Sequence, residues 1–184
     1  MIFDRSKLSL LRDDIGRRAR KCGLQGAAAL HHFRQQPQNR TLLWFRLREA
    51  ARAGLVRTLC DRFYLRSSRR SGLEICSSAL GGGVVMPHWG RIILNGESIG
   101  SDLYVFHNVT VGDDYVSGKP TIGADVFLGA GSTIIGRITV GDHVMVAAGS
   151  VVIHDVPACT LVAGNPAKVV REISPGRISE IIGY

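Results

Sequence analysis

The chain has 184 residues, enough for one domain with a small appendage. Its formal charge of +8 is unevenly placed: residues 1–72 carry 17 Lys and Arg against 5 Asp and Glu, residues 73–184 carry 6 against 10. That split excludes a uniformly basic protein and points to an N-terminal surface that meets something anionic, whether a membrane face, nucleic acid or an acidic partner.

Asp4, Arg5 and Lys7 follow the start with no apolar run, so no secretory signal is expected. The four cysteines, Cys22, Cys60, Cys76 and Cys159, stand far apart and read as reduced thiols, not as a zinc or redox pair. Residues 1–72 read as a basic α-helical region. A short helix begins near Ser6, with Leu8, Leu11 and Ile15 on one face and Arg12, Arg17, Arg18 and Arg20 on the remaining surface, and Gly23 and Gly26 end it. His31 to Asn39 reads as a polar connection and Thr41 as the start of a second helix. Along that helix Leu43, Leu47, Ala50, Ala51, Leu55, Leu59 and Phe63 recur at helical spacing. Arg46, Arg48, Glu49, Arg52, Arg57, Asp61 and Arg62 interrupt it too often for a membrane span. Two readings compete: packing on the rest of the protein or another subunit, which is favoured, and lying on anionic lipid. Ser67 to Gly72 reads as a basic linker.

A repeat begins at Leu73. Its first coils are irregular, with Ile75, Leu80 and Met86 as inward positions and Gly81-Gly82-Gly83 as a tightened turn. Ile92 to Ser98 departs from the pattern, Ile99, Val105 and Val111 restore it, and Asp113 to Thr121 interrupts it as a loop ejected from one corner. From Ile122 to Pro157 an aliphatic residue returns every sixth position: Ile122, Leu128, Ile134, Val140, Val146 and Val152. Four positions after each stands Val126, Ser132, Ile138, Val144, Ser150 or Val156. A period of six fits neither a helix at 3.6 nor a lone strand at 2, and a β-sandwich would alternate at 2. Each hexad supplies a short strand and a turn, and three hexads close a triangular coil, so residues 73–170 are expected to form an all-β, parallel β-helix domain. Ala163 to Val170 then forms a turn and closing strand, and residues 171–184 a tail that covers the open end.

These hexads, the loop after Val111-Gly112 and the closing Gly164-Asn165-Pro166-Ala167-Lys168 resemble the hexapeptide-repeat acyltransferases, whose fold is a left-handed parallel β-helix. Leu73-Glu74-Ile75, Pro87-His88-Trp89-Gly90 and Pro120-Thr121-Ile122-Gly123 are similar to the serine acetyltransferase branch, and a closer likeness is to its relatives in exopolysaccharide and capsule biosynthesis, the colanic acid type. The resemblance implies acetyl transfer from acetyl-CoA to a hydroxyl at sites between subunits of a homotrimer, with no metal. It makes His88 the general base and Glu74 the carboxylate that orients it. It places the pantetheine arm of CoA along Ala130, Gly131 and Ala148, with Gly112 nearer the thioester and Lys168 near the closing strand. Pro87 stands where serine acetyltransferases carry an Asp, and Gly118-Lys119 where they carry an Arg-His pair. An ammonium and a carboxylate would therefore be poorly compensated in this site. The expected acceptor is accordingly a sugar hydroxyl in cell-surface polysaccharide, with serine or another small hydroxyl as the alternative. The expected location is cytoplasmic, at the inner face of the cell membrane if the basic N-terminus binds anionic lipid.

An alcohol needs a base within hydrogen-bond reach to attack a thioester, and histidine suits that task. Trp89 offers an aromatic face to a pyranose ring. His107, one coil on, lines the acceptor groove or is a stacked structural histidine. Lys119 contacts acceptor or CoA phosphate or is a solvated loop lysine. Cys76 and Cys159 have no visible activating partner, so direct transfer is expected over an acyl-cysteine. A zinc carbonic anhydrase of β-helical type would need a third histidine beside His88 and His107. Nucleic-acid binding is not expected, since no aromatic platform accompanies the arginines.

Overall fold

A computed structural model of the chain describes residues 2–77 and 79–182. Three parallel sheets form the walls of a prism. The first stacks β1 (Leu73–Ile75), β3 (Ile92–Leu94), β6 (Val109–Gly112), β9 (Thr133–Ile135) and β12 (Val151–Val152). The second stacks β2 (Ala79–Leu80), β4 (Ser98–Ile99), β7 (Thr121–Ile122) and β10 (Thr139–Val140). The third stacks β5 (Tyr104–Val105), β8 (Phe127–Leu128), β11 (Met145–Val146) and β13 (Thr160–Gly164), and ends in β14 (Ala167–Glu172), which is antiparallel to β13. The fold is thus a parallel β-solenoid behind a few N-terminal helices.

The hexad is the cause of the register. Thr121 pairs with Thr139, Phe127 with Met145 and Thr133 with Val151, each one three-hexad coil further along. Stacking at that step places Ile122 on Val140, Leu128 on Val146 and Ile134 on Val152, one buried stack per wall. Each such side chain contributes about 1.5–3 kcal/mol on leaving water. The less regular inward positions Ile75, Leu80, Met86, Ile99, Val105 and Val111 are buried in the same core. Where residues 113–120 leave the corner, the pairings skip the loop: Ser98 still meets Thr121 and Thr110 meets Thr133.

The N-terminal part contains four helices, α1 (Arg5–Cys22), α2 (Gly26–Gln35), α3 (Pro37–Ala50) and α4 (Leu55–Ser71). Asp4 caps α1 by accepting from the Ser6 amide, and Gly23 ends it in the left-handed conformation. This differs from the sequence reading at three points. His31 to Gln35 is helical, and Pro37, pre-set for a first helical turn, opens α3 ahead of Thr41. The long second helix is broken between Ala50 and Leu55, where Gly54 has φ +77°. Ser67 to Ser71 is the last turn of α4, not a linker. The break rotates the apolar positions apart, so Leu42, Phe45 and Tyr64 are buried while Leu55, Leu59 and Phe63 face solvent.

The helices dock on the first coils through charge. Arg46 donates to Asp14 at 2.9 Å and to the carbonyl oxygens of Leu80 and Gly81, and Asp14 also accepts from the Val84 amide. Both side chains are buried. Burial pushes the Asp14 carboxyl up from its usual value, against the opposing pull of Arg46 and of the Val84 and Gly83 amides. Arg17, expected on the surface, is buried instead and donates to the Gly83 carbonyl and to Asp102. The Tyr64 hydroxyl bridges the amide and carbonyl of Ile75 at 2.9 and 3.0 Å. After β14, α5 (Arg177–Ile182) ends the described chain.

Candidate functional site

The third wall turns into the first at residues 106–108, 129–132 and 147–150 of successive coils, and before them at residues 86–91. These turns stack directly. The Gly131 amide donates to His107 O at 3.0 Å, and the Gly149 amide to Ala130 O at 2.8 Å. Gly90 sits so close below that a Cβ there would collide with the Cβ of His107, which is why this position takes glycine. One edge of the prism therefore carries, in ascending order, His88 and Trp89, His107, Ala130 and Gly131, and Ala148. Above it the hairpin of β13 and β14 is tied down by the Gly164 amide on Ser150 Oγ, and Lys168 lies in β14 opposite Ala163.

At the lower end of that edge His88 is exposed and meets His107 edge-on, with ring centroids 6.1 Å apart. It also packs on Phe106 at 5.2 Å, and Phe106 continues into Tyr104 and Phe127. Trp89 is 70% exposed beside it. The Nδ1 of His107 is buried without a hydrogen-bond partner among the described residues. Phe106 was not singled out from sequence; the alternation of Tyr104 and Phe106 before His107, with Phe127 in register with Tyr104, is the signal that marks it.

Three other expected residues lie outside these turns, on the first wall or in the loop beyond it. Glu74 points outward from β1, and its Oε1 accepts from the Cys76 thiol at 3.4 Å. No hydrogen bond or ion pair joins it to His88 among the described residues. Gly112, buried at the end of β6, accepts from the Gly136 amide. Lys119 is half-buried in the ejected loop, near enough to Cys76 to favour its thiolate. Burial, followed by the Glu74 carboxylate, outweighs that pull and holds the Cys76 thiol above its usual value, which is the wrong direction for an acyl-accepting nucleophile. Among the described residues no group of three or more His, Cys, Asp or Glu gathers in a metal-binding arrangement. No described helix is long and apolar enough to cross a membrane.

The edge of small residues can seat an extended ligand against backbone, and an exposed imidazole stands at one end of it. The chain is similar to several known proteins. Residues 119–154 match the family described as bacterial transferase hexapeptide (six repeats). A serine acetyltransferase of Buchnera aphidicola is 39% identical over 122 residues, which is 60% of this chain and 43% of that protein. The chain spans less than half the length of the curated relatives it matches. Soybean serine acetyltransferase, solved with serine, superposes with a TM-score of 0.65 at 29% identity over 91% of this chain and 70% of that one. A serine acetyltransferase of Brucella abortus solved with coenzyme A shares the fold, with a TM-score of 0.63 at 24% identity over 92% and 70% of the two chains.

Proposed function

We propose that this chain, a hexapeptide-repeat protein with serine acetyltransferase homologues, is an acetyl-CoA-dependent O-acetyltransferase. The observation that carries the reading is the single prism edge on which His88 stands at one end and Ala130, Gly131 and Ala148 continue upward. Side chains no larger than methyl leave the backbone open to the amides of a pantetheine arm, and Lys168 in the hairpin above is the cation available to its phosphates. The thioester end then lies toward His88.

In this scheme His88 accepts the proton of the acceptor hydroxyl as the oxygen attacks the thioester carbonyl carbon. The tetrahedral intermediate collapses with loss of the carbon–sulfur bond, and the proton passes from His88 to the departing thiolate. The ester and free CoA are the products. Glu74, on the outer face of β1, is the carboxylate proposed to orient His88. The sites of such proteins are expected between subunits of a homotrimer, and sedimentation of the purified chain tests that assembly.

The relatives reported above act, by their names, on serine, which makes serine the first acceptor to test. A sugar hydroxyl is the second reading, favoured by Trp89 exposed beside His88 and by Pro87 and Gly118-Lys119 in place of the charged groups that hold an amino acid. Thiol release from acetyl-CoA, measured with serine and then with a panel of sugars and oligosaccharides, separates the two. With the better acceptor, His88→Ala lowers turnover by about 10²- to 10⁴-fold. Turnover near that of the parent protein removes His88 from the scheme.

A further inference from the structure

A second cleft lies far from this edge in sequence, on the helical part. α3 and α4 run antiparallel, with Thr41 bonded to Ser67 and Trp44 stacked on Phe63 at 4.5 Å and 17°. Where α3 begins and α4 ends they enclose about 200 Å³, lined chiefly by Arg40, Trp44, Phe63, Arg66, Ser67 and Arg70. Among the described residues none of the three guanidinium groups has a carboxylate at salt-bridge distance or a hydrogen-bond partner, and no acidic side chain lines the cleft.

Helix terms account for part of this charge only. Arg70, with Arg69, lies in the last turn of α4, where the helix dipole favours a cation. Arg40 lies near the start of α3, whose first turn has no acidic residue and whose N-cap Gln36 makes no side-chain cap bond. There the dipole opposes a cation, and two further arginines face it. Arg40, Arg66 and Arg70 are exposed, so solvent weakens their mutual repulsion, and an anion seated among them would turn it into attraction. Guanidinium forks match the oxygen pairs of a phosphoryl group, the Ser67 hydroxyl supplies a further polar contact, and Phe63, 46% exposed on its stack with Trp44, covers an apolar or flat group attached to the anion.

We infer that this cleft binds a phosphoryl anion, carried by a soluble phosphate ester or diphosphate or by a phospholipid headgroup. The test uses the full chain at fixed ionic strength. Titration calorimetry with inorganic pyrophosphate measures the soluble source. Sedimentation with phosphatidylcholine vesicles, with and without phosphatidic acid, measures the lipid source. The triple variant Arg40→Gln, Arg66→Gln, Arg70→Gln is compared with Arg5→Gln, Arg12→Gln, Arg20→Gln, which removes the same charge from exposed positions on α1. The first triple is expected to weaken binding by about tenfold or more, and the second to leave it within about twofold. Pyrophosphate binding lost in the first triple assigns a soluble ligand. Vesicle binding lost in the first triple, with no binding of pyrophosphate, assigns a lipid headgroup. Equal loss in both triples, or no saturable binding of either probe to the parent chain, overturns the inference.

Discussion

At its first coils the β-helix is covered by helices that reach in with charge, and at its last coils by a hairpin that adds backbone bonds and little else. Below, Arg46, Asp14, Arg17 and the Tyr64 hydroxyl satisfy the amides and carbonyls of residues 75–84 directly. Above, β14 turns back antiparallel on β13 and leaves Val169 and Val170 more than half exposed. Both devices solve one problem, the unpaired groups of a terminal coil. They differ in what each would lose. A buried charge network holds several partners at once, so its failure leaves ions in a dry site, whereas a hairpin seat fails by small apolar increments.

The largest expected effect follows at the charged end. Arg46→Ala strands the Asp14 carboxylate and two carbonyl groups, and is expected to cost about 3–5 kcal/mol in denaturant unfolding. The double variant Asp14→Leu, Arg46→Met removes both ions and should recover part of that loss. A single-variant cost under about 1 kcal/mol would mean the ion pair does not secure the helices. At the hairpin end, Val162→Ala removes two buried methyl groups beneath β14 and is expected to cost about 1.5–2 kcal/mol. If the two variants cost the same, the two ends are closed equally firmly and the contrast fails.

The same contrast explains what could be read from the sequence. The inward stacks from Ile122 to Val152 were legible because a six-residue period has one geometric solution, and each coil repeats the solution of its neighbour. The corner edge was legible in part: His88, Trp89, His107, Ala130, Gly131 and Ala148 fall together because each occupies an equivalent turn. The charged end was not. Arg17 and Arg46 sit in helical patterns that look solvated, and their burial is made favourable by Asp14, by Asp102 and by the carbonyl groups of residues 80–83, most of them brought from another part of the chain. The relation of Glu74 to His88 was hard to read for a related reason. Their 14-residue spacing is close to one coil but crosses the irregular Gly81-Gly82-Gly83 turn, where the hexad no longer fixes position.

A smaller effect asks whether the hairpin end also serves binding. Lys168→Ala removes an exposed cation from β14, and screened surface contacts of that kind change affinity by about two- to fivefold. The Michaelis constant for acetyl-CoA should rise by that factor with kcat nearly unchanged. An unchanged constant would confine the hairpin to closing the β-helix.

The smallest effect compares two aspartates. Asp14 is buried, and burial pushes its carboxyl up. Asp114 lies in the ejected loop and accepts from the amides of Val116, Ser117 and Gly118 and from the Ser117 hydroxyl, which together hold its carboxyl far below the usual aspartate value of 3.8. A depressed carboxyl contributes stability that is present above the unfolded value and is lost as pH falls through the folded one. The three amides should therefore stay protected from hydrogen exchange as pH drops through 3.8 and lose protection only well below it. Asp114→Asn should abolish that acid transition. Loss of protection centred on the ordinary aspartate range would show that the loop is not held by its carboxylate.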